Sequence, residues 1–171
     1  MKKATFAVRT WRVLSVVFVL VLTLGCYVVF PDDVGVHFDA LTQKPDVFLE
    51  KRVIFYVSAA LALIVNTVFP AVGRLFASVD SRFLPIPNQQ AWAASRSDLN
   101  EHFLNWFLCL NAAVNSILGL SLLALVSLND VQFKFRVIDF RWLFYMAVAI
   151  FITIILALPL RLNRAPALST D

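Results

Sequence analysis

His37 is the residue in this chain whose neighbours come closest to a reactive or metal-binding pattern. Asp39, Asp32 and Asp33 lie within five positions of it. An imidazole beside carboxylates can carry a proton near neutral pH or bind a metal ion. One histidine among flexible carboxylates is a weak pattern, and the sequence favours a surface histidine hydrogen-bonded in a turn. We therefore predict no metal site and no catalytic residue here.

The two cysteines and the second histidine add no further catalytic or metal-binding arrangement. Cys26 and Cys109 have no CxxC or Cys/His spacing typical of a metal site. In the predicted spans their depths differ by ~12 Å, which exceeds the ~7 Å Cα separation that a disulfide allows. His37 and His102 are predicted on opposite membrane faces, and no Ser/His/Asp set appears. We predict two free thiols, no cofactor and no enzymatic activity.

Long uncharged stretches dominate the chain. Of its 171 residues 60% are hydrophobic and 15% charged. Four stretches of 19 to 27 residues lack Asp, Glu, Lys and Arg: 13–31, 53–73, 103–129 and 142–160. About 20 apolar residues in a helix cross a hydrocarbon core of ~30 Å. We predict an all-α integral membrane protein with one domain over residues 1–171 and four spans, at about 12–31, 53–75, 103–128 and 142–161. A soluble globule and a separate soluble catalytic domain are excluded.

Basic residues indicate the orientation of the chain, because cytoplasmic flanks are enriched in Lys and Arg. Lys2, Lys3, Arg9 and Arg12 precede the first span, and the side that holds both termini has nine basic residues against six on the other. We predict that both termini are cytoplasmic. The net charge of +4 then points to anionic membrane lipids as partners. No aromatic and basic stripe indicates nucleic-acid binding.

A lipoprotein signal peptide cleaved before Cys26 is the alternative for the N-terminal segment. The apolar stretch continues past Cys26 to Phe30, and Thr23 stands where an aliphatic residue is usual. We therefore expect this segment to remain as the first span.

Two loops on the predicted outer side contain the alternation typical of short strands. Residues 34–39 alternate apolar side chains with small or polar ones in an acidic loop, and residues 133–137 do so in a basic one. Opposite charges would favour pairing of the two segments. We predict a short extracellular β-ribbon made from loops one and three. Because a two-stranded ribbon is marginal alone, it would need the membrane surface or a partner.

The loop between the second and third spans is predicted to hold an interfacial helix at about residues 89–102. The PIPN segment at 85–88 blocks a regular helix and then offers an N-cap. Trp92, Leu99 and Phe103 fall near one face. We predict that this face meets lipid, with Trp92 at headgroup level. A docking site for a cytoplasmic partner is the alternative.

The predicted spans contain polar residues but no formal charge, whereas intramembrane charges are typical of pumps and proton relays. Asn111, Asn115 and Gly119 recur every four residues and so share one face of the third span, and Asn66 lies in the second. Amide and small side chains let helices approach and form hydrogen bonds. We predict that these four residues pack helices together, with a polar ligand pocket as the alternative.

Two loop motifs resemble those of a known family. The first loop reads VGVHFDA at residues 34–40, followed by Pro-Asp and Lys51; the inner loop reads IPNQQAW at residues 86–92, followed by Arg96. Over about residues 11–127 the chain resembles a bacterial membrane family of unknown function. This family includes the N-terminal region of SdpI-like immunity proteins, which protect cells against a secreted killing factor. The chain departs from the family pattern by having Thr42 in place of Gly, an aspartate one residue late, and Phe48 in place of Trp or Tyr.

The resemblance implies a multi-pass protein of the bacterial inner (cytoplasmic) membrane. It also implies which residues build the two loops. The outer set is His37, Phe38, Asp39, Asp46 and Lys51, and the inner set is Pro87, Asn88, Trp92 and Arg96. We treat both sets as candidate contacts for a protein partner.

The sequence favours a non-enzymatic protein that acts by protein–protein interaction, with another protein or a second copy of itself. It would be either an accessory subunit of a larger membrane complex or an SdpI-like immunity or envelope element. The alternative is a small transporter or channel component, in which Asn66, Asn111 and Asn115 would line a path between oligomeric copies.

Overall fold

A computed structural model of the chain describes residues 3–39, 41–80, 83–130 and 135–164. Their elements follow one another in a simple order. They are α1 (Lys3–Val29), β1 (Asp33–Phe38), β2 (Pro45–Glu50), α2 (Lys51–Ser78), α3 (Gln89–Ala94), α4 (Arg96–Asn129), a 3₁₀ turn (Val137–Phe140) and α5 (Arg141–Leu162).

Four of these helices, α1, α2, α4 and α5, are long and apolar enough to cross a membrane, which confirms the predicted number of spans. They contain 22 to 34 residues and so extend ~33–51 Å, against ~30 Å of hydrocarbon. The helices continue past the predicted spans at several ends. Lys51 and Arg96 are the first residues of α2 and α4.

Helix α4 is the centre of the bundle and packs against α1, α2 and α5. It presents small buried residues, Ala112, Ala113 and Gly119, along its length. Small residues bring helices close, and close packing holds membrane helices together where burial from lipid gives little driving force. Helix α5 is the most peripheral of the four spans, and its Phe144 and Tyr145 are exposed on the bundle surface.

Gly119 marks a close approach of α4 to α1. A Cβ atom at this position would lie 2.5 Å from Phe18 Cε1 and 2.6 Å from Phe18 Cδ1. We expect Gly119→Val to lower the free energy of unfolding by about 1–3 kcal/mol, because overpacking forces side chains and backbone to shift. Unfolding of the protein in detergent micelles by titration with dodecyl sulfate measures this free energy.

Gly25→Val is the matched control for Gly119→Val. A Cβ atom at Gly25 meets nothing within 4 Å, so the same substitution should change stability little. Phe18→Leu should partly rescue Gly119→Val. Equal losses at the two glycines would contradict the close-approach explanation.

Both strands of the described sheet come from the first loop. β1 pairs antiparallel with β2, with Asp33 opposite Glu50 and Phe38 opposite Pro45. The predicted strand at 34–39 is present, but the prediction that loop three supplies its partner is wrong for this sheet. Residues 135 and 136 are irregular, and residues 131–134 lie outside the described part of the chain. A partner strand joined by a connection of only six residues is favoured because closing a short loop costs less entropy.

This hairpin, β1 and β2 with their turn, is anchored on one end of the bundle. Val34 is fully buried in an apolar cluster with Cys26 and residues of α2 and α4. Gly35 N donates to Asn129 Oδ1 at 2.8 Å, and Asn129 Nδ2 donates to Gly35 O at 3.0 Å. The end of α4 therefore holds the hairpin in one orientation.

Cys26 and Cys109 are both free, as predicted.

The predicted interfacial helix is shorter than expected. Helix α3 spans only Gln89–Ala94 and ends at Ser95, which has φ −111° and ψ 46°. Arg96 then begins α4, the third span. The pattern over 89–102 is continuous in sequence, but the chain turns at Ser95 so that α3 can pack on the end of α5.

Candidate functional site

The outer candidate residues all lie in or beside the hairpin, and Asp39 organises its turn. Asp39 Oδ1 accepts hydrogen bonds from Leu41 N at 3.1 Å and Thr42 N at 2.6 Å. Hydrogen bonds from Thr42 lower the pKa of Asp39 below its usual value. Gln43 completes the turn with φ 56°. Asp39 thus has a structural function as the acceptor of the turn.

His37 and Asp46 face each other across the two strands. His37 Nδ1 lies 2.6 Å from Asp46 Oδ1, and both side chains are exposed. Phe38 is half-buried and pairs with Pro45 at the end of the ladder. Within the described ranges, no group of three or more His, Cys, Asp or Glu side chains is arranged to hold a metal ion. The geometry is that of a cross-strand hydrogen bond between side chains on a surface.

Lys51 connects the hairpin to the helices. Its Nζ lies 2.8 Å from Asp32 Oδ1 and 5.9 Å from the centroid of the Tyr27 ring. Its backbone N–H donates to Asp32 O at 2.9 Å. Asp32 was not predicted from the sequence as a partner of Lys51. The available signal was an acidic residue at the start of the loop and a basic one at its end.

The ion pair of Lys51 with Asp32 makes a pH-dependent contribution to the hairpin. The hydrogen bond from Lys51, and then its charge, lower the pKa of Asp32 below its ordinary value of 3.8. A carboxylate with a depressed pKa stabilises the folded state above its unfolded pKa, and this contribution is lost as the pH falls through the folded pKa. We expect Lys51→Met to raise the pKa of Asp32 toward 3.8, as measured by carbon NMR of labelled aspartate carboxyls.

Arg52→Gln is the control for this titration, because Arg52 makes the smallest of the effects that lower the pKa of Asp32. It should move that pKa less than Lys51→Met does. An Asp32 titration identical in wild type and Lys51→Met would show that the pair does not form in the protein.

The inner candidate residues lie at the opposite end of the bundle, and Trp92 is completely buried among them. It has 0% exposed surface and packs with Leu84, Leu99, Phe103 and Leu162. Its Nε1 donates to Leu162 O at 2.9 Å. The prediction that this face of Trp92 meets lipid is therefore wrong. The indole instead covers the end of α5, because its N–H finds there a carbonyl left without a helical partner.

Asn88 and Arg96 also bind the ends of helices. Asn88 Nδ2 donates to Asn163 O at 3.0 Å, just after α5, and makes no side-chain cap bond to α3. Arg96 donates through one guanidinium nitrogen to Ala77 O at 3.0 Å and to Val79 O. Cationic donors are favourable at the C-terminus of a helix. Pro87 is exposed in the same loop. The inner motif thus closes the C-terminal ends of α2 and α5.

The predicted packing amides form a connected hydrogen-bond network between α2 and α4. Asn66 Nδ2 donates to Asn115 Oδ1 at 3.0 Å, and Asn115 Nδ2 donates back to Asn66 Oδ1 at 3.1 Å. Asn115 Nδ2 also lies 3.3 Å from Asn111 Oδ1, and Asn111 Nδ2 donates to Val65 O at 2.9 Å. Asn111 and Asn115 are fully buried. Gly119, on the same helix, instead contacts α1.

The structure therefore groups the candidate residues at three levels of one bundle. The outer set lies in or beside the hairpin, the amides lie between the helices, and the inner set lies in α3 and directly beside it. Asn129, which holds the hairpin through Gly35, was not predicted from the sequence. The sequence feature that could have indicated this role was a single amide at the end of the third apolar stretch.

No family model, curated protein or solved structure matches this chain.

Proposed function

We propose that this chain is a non-enzymatic protein of the bacterial inner membrane that acts by protein–protein interaction through its hairpin. It would be an accessory subunit of a larger membrane complex or an SdpI-like immunity or envelope element, with both termini in the cytoplasm. The observation that carries the proposal is the exposed hairpin, anchored on the bundle by the Gly35–Asn129 bonds.

The exposed strand β2 is what makes the hairpin suitable as a contact surface. All six of its residues are exposed, including the large apolar side chains Val47, Phe48 and Leu49. Exposed aromatic and aliphatic side chains among charged ones are typical of protein contact surfaces. The inner set supports this choice indirectly, because Trp92, Asn88 and Arg96 already bind other parts of the same chain.

The experiment is gentle detergent extraction from native membranes with a tag on the C-terminus, followed by identification of co-purifying proteins. We expect a stoichiometric partner that survives gel filtration. Phe48→Ser, at a side chain 53% exposed, should release it; Phe83→Ser, at one 80% exposed at the other end of the bundle, should not. Deletion of the gene with neither toxin sensitivity nor loss of any complex would contradict the proposal.

A transporter or channel component, the alternative, receives less support from the geometry. Asn66, Asn111 and Asn115 bond to one another and to backbone carbonyls, so their polar groups are satisfied between helices. Ion flux through reconstituted vesicles that is abolished by Asn115→Leu would favour this alternative, and vesicles that stay tight would oppose it.

A further inference from the structure

A basic cavity lies between α1, α2 and α4 at the α3 end of the bundle. Its volume is about 740 Å³, within the range of ~300–1,000 Å³ typical of small-molecule sites. The charged side chains that line it are three arginines, Arg9, Arg12 and Arg74, and one acid, Glu101. The excess of positive charge suits an anionic ligand.

Two of these arginines, Arg12 and Arg74, lie at a depth that matches that of a lipid phosphate. Arg12 lies ~26 Å along α1 from Val29, and Arg74 lies ~35 Å along α2 from Lys51, at 1.5 Å per residue. The hydrocarbon core is ~30 Å thick. If the hairpin ends of α1 and α2 lie at one edge of the core, both guanidiniums are near the other edge, where phosphates lie. An arginine at that edge is within reach of a lipid phosphate, with which it can form a charge-assisted hydrogen bond.

The polar atoms of the cavity include two that the protein leaves unused. Arg12 Nε and Asn100 Oδ1 are buried and have no hydrogen-bond partner among the described residues. Thr5, by contrast, donates to Glu101 and accepts from Asn105. A phosphate oxygen could accept from Arg12 Nε, and a headgroup hydroxyl could donate to Asn100 Oδ1.

An apolar groove of about 370 Å³ follows on the next turns of α1 and α2. It is lined by Val16, Leu20 and Leu24 of α1 and by Phe55, Leu63 and Asn66 of α2. Val13 in the basic cavity and Val16 in the groove are neighbours on one helix face, as are Pro70 and Asn66. From Val16 to Leu24 the groove runs ~12 Å, close to the depth of one leaflet, ~15 Å.

We propose that the basic cavity and the apolar groove together bind one anionic phospholipid. Its phosphate lies between Arg12 and Arg74, and one acyl chain lies along α1 and α2. The site rests on the membrane placement of the proposed function but is independent of any protein partner, because the hairpin lies at the opposite end of the bundle.

The test is native mass spectrometry of the full chain, purified free of lipid and titrated with phosphatidylglycerol or with phosphatidylcholine of the same chain length. We expect one phosphatidylglycerol to bind about tenfold or more tightly than phosphatidylcholine. Both lipids carry the phosphate, but phosphatidylcholine adds a quaternary ammonium, which the arginines repel, and lacks the headgroup hydroxyl that can donate to Asn100 Oδ1. Arg12→Gln/Arg74→Gln should abolish this preference. Arg52→Gln/Arg141→Gln removes the same charge from exposed positions elsewhere and should preserve it.

Two single variants keep the proposal falsifiable if the double variant does not fold. Arg74→Gln alone, at an exposed residue, should weaken phosphatidylglycerol binding, and Leu20→Trp should weaken it by filling the groove. Glycerol phosphate and inorganic phosphate should bind far more weakly than the lipid. The proposal would be overturned if the two double variants had the same preference for phosphatidylglycerol over phosphatidylcholine. It would also be overturned if inorganic phosphate or glycerol phosphate bound as tightly as the lipid. If Phe48→Ser loses the protein partner but binds lipid as before, the hairpin surface and the lipid site act independently.

Discussion

Trp92→Ala is expected to lower the free energy of unfolding by about 3–5 kcal/mol, as truncation of a buried tryptophan does. The indole has no exposed surface and fills the space between α3, the start of α4 and the end of α5. Arg161 lies over its ring, 5.2 Å from the centroid, and His102 contacts it edge-on at 5.7 Å. Its removal leaves a cavity and also deprives the Leu162 carbonyl of its hydrogen-bond donor. Dodecyl sulfate titration measures the loss.

Trp142→Ala is the matched control for Trp92→Ala. Trp142 is the second residue of α5, at the other end of the bundle, and is 50% exposed, so its truncation should cost less than about 1 kcal/mol. Trp92→Phe should lie between the two, since it keeps most of the packing but loses the bond to Leu162, worth about 1 kcal/mol. Equal losses for Trp92→Ala and Trp142→Ala would indicate that Trp92 is a lipid anchor after all.

Asn115→Ala is expected to lower the free energy of unfolding by about 2 kcal/mol. The change removes the reciprocal bonds with Asn66 and the contact with Asn111. Interhelical hydrogen bonds in membranes contribute on average ~0.6 and at most ~1.7 kcal/mol each. Asn115 also loses packing, because it is fully buried.

A double-mutant cycle with Asn66→Ala isolates the pair itself. We expect the double variant to be less destabilised than the sum of the singles, with a coupling energy of about 1–2 kcal/mol. Thr67→Ala is the control on the same helix, because Thr67 is exposed and bonds to its own backbone at Leu63 O. Strict additivity of Asn66→Ala and Asn115→Ala would mean that the amides do not depend on each other.

The alternating residues of the first loop show what a local pattern can predict and what it cannot. Val34, Val36 and Phe38 predicted a strand, and β1 occupies those positions. The pattern could not identify its partner, because any exposed segment with a strand pattern can pair with a free edge. Asp39 and Gln43 form a turn that brings β2 alongside. A Pro-bounded apolar run directly after this turn was the available signal for the hairpin.

Trp92 shows the opposite case, in which the shared apolar face was predicted but its environment was not. Helical spacing placed Trp92, Leu99 and Phe103 on one face, and they do share one cluster. Periodicity cannot distinguish a face that meets lipid from one that meets another helix, since both are apolar. Helix α5 covers this face, and its approach depends on packing over a sequence separation of 70 residues.

The sequence alone determined that four helices of this chain are long and apolar enough to cross a membrane, because length and hydropathy are local properties and the hydrocarbon core sets a minimum for both. It also determined that Asn111 and Asn115 share a face, because helical periodicity is local. The tertiary structure decided that these amides meet Asn66, that Asn129 holds Gly35, and that Trp92 and Arg96 close the ends of α5 and α2. Each of these contacts joins residues far apart in the chain. They exist because every buried polar group needs a partner, and only the packed bundle brings that partner within reach.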